Sequence, residues 1–407
     1  MESRRSKLIM IVGLGIPAFV PFSIQITNFF LIAYFVLSFA TADLSALKNN
    51  IRLNKTRILV NIAPFLFCVL SLIYTSSLSD GSFAIEKYLP LLALPLIFFS
   101  RDSIDYKWFL YTFSFSIFAL CLISFLFNSY HFFVLHDNTA LVGDDYNHII
   151  TSWNAFADEN LVRPFDISPI YLSLYISFSL MVFYFYFSRS AIIISIQLFL
   201  LVYIILLGSR IGLAALLVTA FMLFFKISKK SLKYYYGILS VSALLIISVL
   251  LNPILKKRYI EDFNFSFPSD VSGWNAVNLR LSIWKCSMES FLKKPFIGYG
   301  TGGQWTVRDN CYQSNSWYGH FGGINLNSHN QYLEYLLIGG GALFGLFIIQ
   351  LLYSLRYAIK NNDILHLGFL ITFIVVCCGE SLLERHMGIV FFSLFNSIFL
   401  LPKNSLQ

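Results

Sequence analysis

The sequence predicts an all-α polytopic membrane protein with about 12 transmembrane helices and one large periplasmic loop. Two observations carry that prediction. Hydrophobic residues make up 57% of the 407 and charged residues only 12%, with a mean hydropathy of +0.69; a soluble domain carries roughly a quarter charged residues. Uncharged apolar runs of span length also recur, among them 108–127, 167–188 and 234–251, and about 18 such residues suffice to cross hydrocarbon. Hydrocarbon cannot satisfy open backbone groups, so these runs are helices, and no regular ten-residue alternation suggests a barrel.

Met1 to Val20 has the basic start and apolar stretch of a signal peptide. It lacks an A-x-A-like site and runs into a second apolar stretch, so it reads as an uncleaved first helix. Twelve helices then fall at about 8–21, 24–41, 58–77, 88–100, 108–127, 167–187, 191–207, 211–225, 234–251, 331–354, 364–382 and 387–401. The fourth is short, and only Gly208-Ser209-Arg210 separates the seventh from the eighth, so eleven spans is the alternative. With a cytoplasmic N-terminus, the cytoplasmic loops hold 17 Lys and Arg against 5 acids, and the remainder holds 12 against 16. That is the asymmetry of the positive-inside rule. The net charge of +8 thus follows from topology and gives no argument for nucleic acid.

The chain divides into helices one to nine over 1–251, a large outer loop over 252–330, and three helices over 331–407. A second outer loop covers 128–166 within the first part. Loops this long are uncommon unless functional or disordered, and the aromatic and glycine content of 272–326 argues against disorder. Cys286 and Cys311 both fall in the large loop, where an oxidising compartment permits a disulfide; a reduced, packed Cys286 is the alternative. No C-x-x-C pair or His/Cys ligand spacing points to a metal.

Three groups stand out by position. Arg210 lies between two apolar helices, where an arginine is costly and has a partner or a function. Arg280 opens an amphipathic stretch that ends at Lys293-Lys294-Pro295 and the glycine-rich Gly298-Tyr-Gly300-Thr-Gly302-Gly303. His329 precedes the tenth helix. All three map to the outer face. Paired guanidiniums suit a diphosphate through parallel hydrogen bonds, and a neutral histidine can take a proton from an attacking hydroxyl. The plainer readings are a snorkelling anchor for Arg210, a helix cap for His329 and a flexible turn for the glycines, which lack the strand or lysine of a nucleotide loop. Glu380, Glu384, Arg385 and His386 read as a mutual salt-bridge cluster or, alternatively, a second polar contact to substrate.

The ordered set Ser209-Arg210-x-Gly212, Arg280-x-x-x-Trp284, Pro295-x-x-Gly298-x-Gly300-x-Gly302 and Ser328-His329-Asn330-x-Tyr332-Leu333-Glu334 resembles the O-antigen ligase and O-antigen polymerase superfamily. The resemblance implies a GT-C-like membrane glycosyltransferase of the bacterial inner membrane, without a cofactor. Its donor would be an undecaprenyl-diphosphate-linked glycan and its acceptor lipid A-core. It implies that Arg210 and Arg280 bind the diphosphate, that His329 is catalytic, and that Arg163 and Tyr332 contact substrate. Two positions depart from the pattern. Ser168 stands where the family often has histidine, and Gly340-Gly341-Ala342-Leu343 replaces the ligase branch's G-x-x-G, although the triple glycine 339–341 allows close helix packing.

Ligation to lipid A-core is the leading reading. A polymerase that uses a second lipid-linked repeat as acceptor is the near rival. A transporter or flippase, the reading from another class, calls for inverted repeats and ionisable groups near mid-membrane, of which the apolar runs show almost none.

Overall fold

The computed structural model describes residues 2–101, 105–135, 156–187, 190–227, 276–315, 317 and 326–402. The expected span 234–251, most of the loop 128–166 and the segment 252–275 with Lys256-Lys257-Arg258 lie outside the described residues. Among the described residues the regular structure is helical, with no strand. The main helices are α1 (Glu2–Phe19), α2 (Ile24–Ala40), α3 (Leu44–Leu53), α4 (Lys55–Leu70), α5 (Leu78–Tyr88), α6 (Pro90–Phe99), α7 (Lys107–Tyr130), α8 (Asp158–Val162), α9 (Pro169–Tyr186) and α10 (Ala191–Leu206). They continue with α11 (Arg210–Ile227), α12 (Ala276–Lys293), α13 (Gly303–Ser314), α14 (Gln331–Lys360), α15 (Ile364–Cys377) and α16 (His386–Phe399).

Five helical stretches are long and apolar enough to cross a membrane: 55–73, 78–99, 107–135, 169–186 and 331–360. The pair α2 and α3, bent by 111°, makes six if it is one span. Five further helices are apolar but shorter, and a helix stands at every expected position outside 234–251. The fourth differs in extent. It was expected over 88–100, whereas α5 and α6 run on from Leu78 to Phe99. The added turns carry Lys87, whose ammonium lies 3.4 Å from Glu384 Oε2; the next residue, Tyr88, bonds Glu384 Oε1 through its hydroxyl. A lysine inside an apolar bundle needs such a partner, and hydropathy alone cannot supply it.

Helix α9 is the axis of the bundle, with 78% of its apolar window buried. It has no polar face to expose: Tyr171 through Ser179 are consecutively buried, as expected of a helix enclosed on all sides. It packs against α7, α11 and α15. In lipid the hydrophobic effect does not drive helices together, so dispersion and hydrogen bonds must. Dispersion comes from rings: Phe178 meets Phe395 and Phe369 in tilted and edge-on contacts at centroid distances of 4.7 and 5.4 Å, and Phe113 meets Phe395 at 5.0 Å. Hydrogen bonds come from a buried amide cluster. Asn61 Oδ1 accepts from Asn396 Nδ2 at 2.8 Å and from Gln350 Nε2 at 3.2 Å, joining α4, α14 and α16.

Helix α14 is broken. Gly340 has φ 60° and ψ −156° inside it, a conformation open essentially to glycine alone. The break leaves backbone groups open, and the turn after α12 closes them. Tyr299 and Gly300 donate N–H to Leu337 and Ile338 carbonyls at 3.0 and 2.8 Å, while Gly341 and Ala342 donate to Pro295 and Phe296 carbonyls at 2.7 and 3.1 Å. The triple glycine, expected to serve helix packing, instead lets the turn after α12 dock backbone to backbone. The fit is tight: a Cβ on Gly298 (φ +62°) would sit 2.5 Å from Leu337 O, and one on Gly340 2.4 Å from Phe296 C.

Gly340→Ala is therefore expected to destabilise the protein by about 1–3 kcal/mol, read as a lower melting temperature in detergent. Gly341→Ala, whose Cβ would meet only Pro295 O at 3.5 Å, should be close to neutral. Equal effects at the two positions would contradict the docked turn.

Candidate active site

The starts of three helices and one connection meet at one end of the bundle. α9 begins beside Ser168, α11 begins at Arg210, α14 follows His329-Asn330, and 378–385 links α15 to α16. With α8 and α12 they enclose a cavity of about 660 Å³ whose wall includes Arg163, Arg210, Arg280, His329, Glu380 and Arg385. Four residues singled out in the sequence, Arg163, Arg210, Arg280 and His329, thus border one space. Tyr332 does not line it. Its hydroxyl donates to Ile374 O at 2.9 Å on α15, so it braces two helices. Ser168 does line it.

Local sequence sets each position. Ser209 caps α11, its hydroxyl accepting the Gly212 N–H at 3.1 Å. Gly212 then lies against α9, where a Cβ would stand 2.4 Å from Ser173 Cβ. The S-R-x-G spacing presses α11 onto α9 and leaves Arg210 at the cavity. Arg280 enters from α12, half-buried. Burial holds its guanidinium below the ordinary arginine value; the Glu380 carboxylate opposes that shift and the like charge of Arg210 adds to it. Two guanidiniums that repel one another in a partly desolvated space favour an anion between them.

The stretch 327–331 is fastened residue by residue. The His329 N–H donates to Asn327 Oδ1 at 2.9 Å, with His329 in the left-handed region at φ 44°, uncommon for a side-chain-bearing residue. Asn330 Oδ1 caps α14 by accepting from Tyr332 and Leu333 N–H at 3.0 and 3.1 Å, while Asn330 Nδ2 donates to Cys378 O at 3.0 Å. Gln331 Oε1 accepts the Leu383 N–H at 2.7 Å. The connection 378–383 is thereby laid along 330–331, which brings Glu380 Oε2 to 3.1 Å from His329 Nδ1. A carboxylate there favours the tautomer with its proton on Nδ1, leaving the Nε2 lone pair as the acceptor. Among the described residues Nε2 makes no hydrogen bond.

The expected mutual cluster of Glu380, Glu384, Arg385 and His386 does not form. Glu384 turns into the bundle to Lys87, Glu380 takes His329, and Arg385 lines the cavity. Once 378–383 is laid along 330–331, successive residues of the connection face different elements. The sequence signal for Glu380 is a carboxylate at the end of the expected span 364–382. The disulfide between Cys286 and Cys311 is formed and joins α12 to α13, with Ile283 and Tyr312 buried beside it.

The apolar helical bundle thus ends in a cavity lined by guanidiniums and by a histidine–carboxylate pair. Residues 174–349 match a family model described as O-antigen ligase. The resemblance read from the motifs is borne out over that segment, which contains Arg210, Arg280 and His329. The apolar helices and this family together point to a bacterial membrane protein. No curated protein matches the chain.

If the cavity holds a diphosphate, inorganic pyrophosphate at about 100 times its Kd should stabilise the detergent-solubilised protein by about 2.7 kcal/mol, seen as a rise in melting temperature. Arg280→Gln should remove that rise. A rise of equal size in the variant would place the anion elsewhere.

Proposed function

We propose that the chain is an inverting, metal-independent membrane glycosyltransferase that moves a glycan from undecaprenyl diphosphate to a hydroxyl of lipid A-core. In this reading it is a GT-C-like protein of the bacterial inner membrane, with about 12 spans, a cytoplasmic N-terminus and a periplasmic cavity. The observation that carries it is the single cavity bordered by Arg210, Arg280 and the His329–Glu380 pair.

The residues divide the chemistry as follows. Arg210 and Arg280 hold the donor's diphosphate, each guanidinium offering parallel N–H donors to phosphate oxygens. His329 Nε2 accepts the proton of the acceptor hydroxyl as its oxygen attacks the anomeric carbon. The bond from that carbon to the diphosphate oxygen breaks on the opposite face, its electron pair leaves on the diphosphate, and configuration inverts. The guanidiniums neutralise the charge that develops on the leaving group. Glu380 fixes the tautomer of His329 and stabilises the imidazolium, as a triad carboxylate does. Arg163 and Arg385 at the cavity wall add positive charge for the anionic ends of donor or acceptor.

His329→Ala should lower transfer by about 10²–10⁴-fold while the protein still inserts and still binds pyrophosphate, in an assay with lipid-linked donor and purified acceptor. Glu380→Ala should lose most of the same factor, whereas Arg210→Ala and Arg280→Ala should also weaken donor binding. Undiminished transfer by His329→Ala would remove the base assignment.

The acceptor separates ligation from polymerisation, and the lipid-linked pool of a deletion strain reports it. Long undecaprenyl-linked chains are expected for a missing ligase. Single repeats would make the enzyme a polymerase.

A further inference from the structure

Behind the cavity lies an ion pair that the proposed reaction does not use. Arg308 of α13 and Glu334 in the first turn of α14 are 1% and 0% exposed and meet at 2.9 Å. Neither lines the cavity. Both converge on Ser328, the residue before His329. Glu334 Oε2 accepts the Ser328 N–H at 2.6 Å, and Arg308 Nη1 donates to Ser328 Oγ at 3.0 Å. From α12, Trp284 Nε1 donates to the Ser328 carbonyl at 2.8 Å, and the Ser287 hydroxyl lies 3.2 Å from Ser328 Oγ. The N–H, side chain and carbonyl of one residue are thus all held, by three different helices.

Stability does not account for this pair. Burying two charges costs several kcal/mol each, and a well-packed apolar pair is often as stable or more so. This one is also incompletely satisfied: Arg308 Nη2 and Glu334 Oε1 are buried with no hydrogen-bond partner among the described residues. Its geometric effect, by contrast, is specific. With Ser328 fixed on every polar group, the adjoining peptide plane cannot rotate, and His329 is held in its left-handed conformation with its ring toward Glu380. The Cys286–Cys311 disulfide ties α13, three residues past Arg308, to the helix that carries Arg280, Trp284 and Ser287. The base and one of the diphosphate-binding arginines therefore share a frame.

We propose that Arg308 and Glu334 are positioning residues for His329: a buried clasp on Ser328 that aims the base. The proposal rests on the reading of His329 as base. Misplacing a reacting group by about 1 Å can cost about 100-fold in rate, so loosening the clasp lowers kcat and leaves donor binding intact.

The test is transfer kinetics on the reconstituted full chain, with the double variant Arg308→Met/Glu334→Leu as an apolar replacement for the pair. Expected are a folded, disulfide-bonded protein, a kcat lowered about 10–100-fold, and an unchanged donor KM. Arg308→Lys, which keeps the charge and one donor, should recover part of the loss. If the double variant does not accumulate, Ser328→Ala, which removes the two side-chain links, should lower kcat in the same sense. The deciding measurement is the double variant combined with His329→Ala. A clasp that works through His329 adds nothing to the loss already caused by His329→Ala, whereas general loosening multiplies it. Wild-type kcat in the folded double variant, or in Ser328→Ala where that stands in, overturns the proposal, as does a multiplied loss. Full activity of His329→Ala instead overturns the base assignment itself, so the two failures are distinct.

Discussion

The rest of the structure depends on one constraint: a membrane-embedded helix that is interrupted must have its open backbone groups satisfied by protein. Helix α14 is interrupted at Gly340, and the turn 295–300 supplies two donors and two acceptors at the break. The same turn is gripped from its other side, where Thr301 N–H and hydroxyl bond Ser71 Oγ at 2.9 and 2.8 Å. Satisfying a broken helix thereby fixes where α12 ends and where α13 begins. Those two helices carry Arg280, Trp284, Ser287 and Arg308. The first third of α14, from its Asn330 cap to the break, carries Glu334 and sets the height of His329.

Charge is distributed so that each ionised group has a distinct environment. Lys87 and Glu384 compensate each other within the apolar bundle, and Arg308 and Glu334 do so behind the cavity. At the cavity the balance differs. Arg163, Arg210, Arg280 and Arg385 face it with Glu159, Asp166 and Glu380, and Glu380 is engaged by His329. Positive charge in a partly dry space next to a histidine suits an anionic leaving group beside a nucleophile to be deprotonated. Arg210, Arg280 and His329, which border this space, all fall within the matched segment 174–349.

What was legible in the sequence follows from what each signal measures. Hydropathy measures local transfer free energy, so it located the helices, including the cut at Gly208-Ser209. It began the fourth span too late because Lys87 is tolerated through Glu384, nearly 300 residues away. Arg210, Arg280 and His329 stood out because polar groups at apolar boundaries are costly whatever the fold. Glu380 was read as part of a local cluster because its neighbours in sequence are charged, whereas its partner is chosen by the pairing of 378–383 with 330–331. The break at Gly340 was hidden for a related reason: three glycines permit close packing and a kink equally, and only the incoming turn decides between them. Tyr332 belongs to a motif without touching the cavity, since its hydroxyl is used by α15.

The backbone-to-backbone seam between Gly298 and Gly340 also has a consequence for modularity. Because neither Gly298 nor Gly340 can accept a Cβ without displacing the facing backbone, the turn 295–300 is no interchangeable cap resting on a fixed helical scaffold. Loop and helix form a single heritable unit running from α12 through the first part of α14. A chimaera that exchanges the loop between relatives keeps its seam only when both crossover points lie outside that unit. Variation that retunes the cavity has more freedom on the wall around Arg163 and Ser168, where the described residues show no backbone-to-backbone seam between segments.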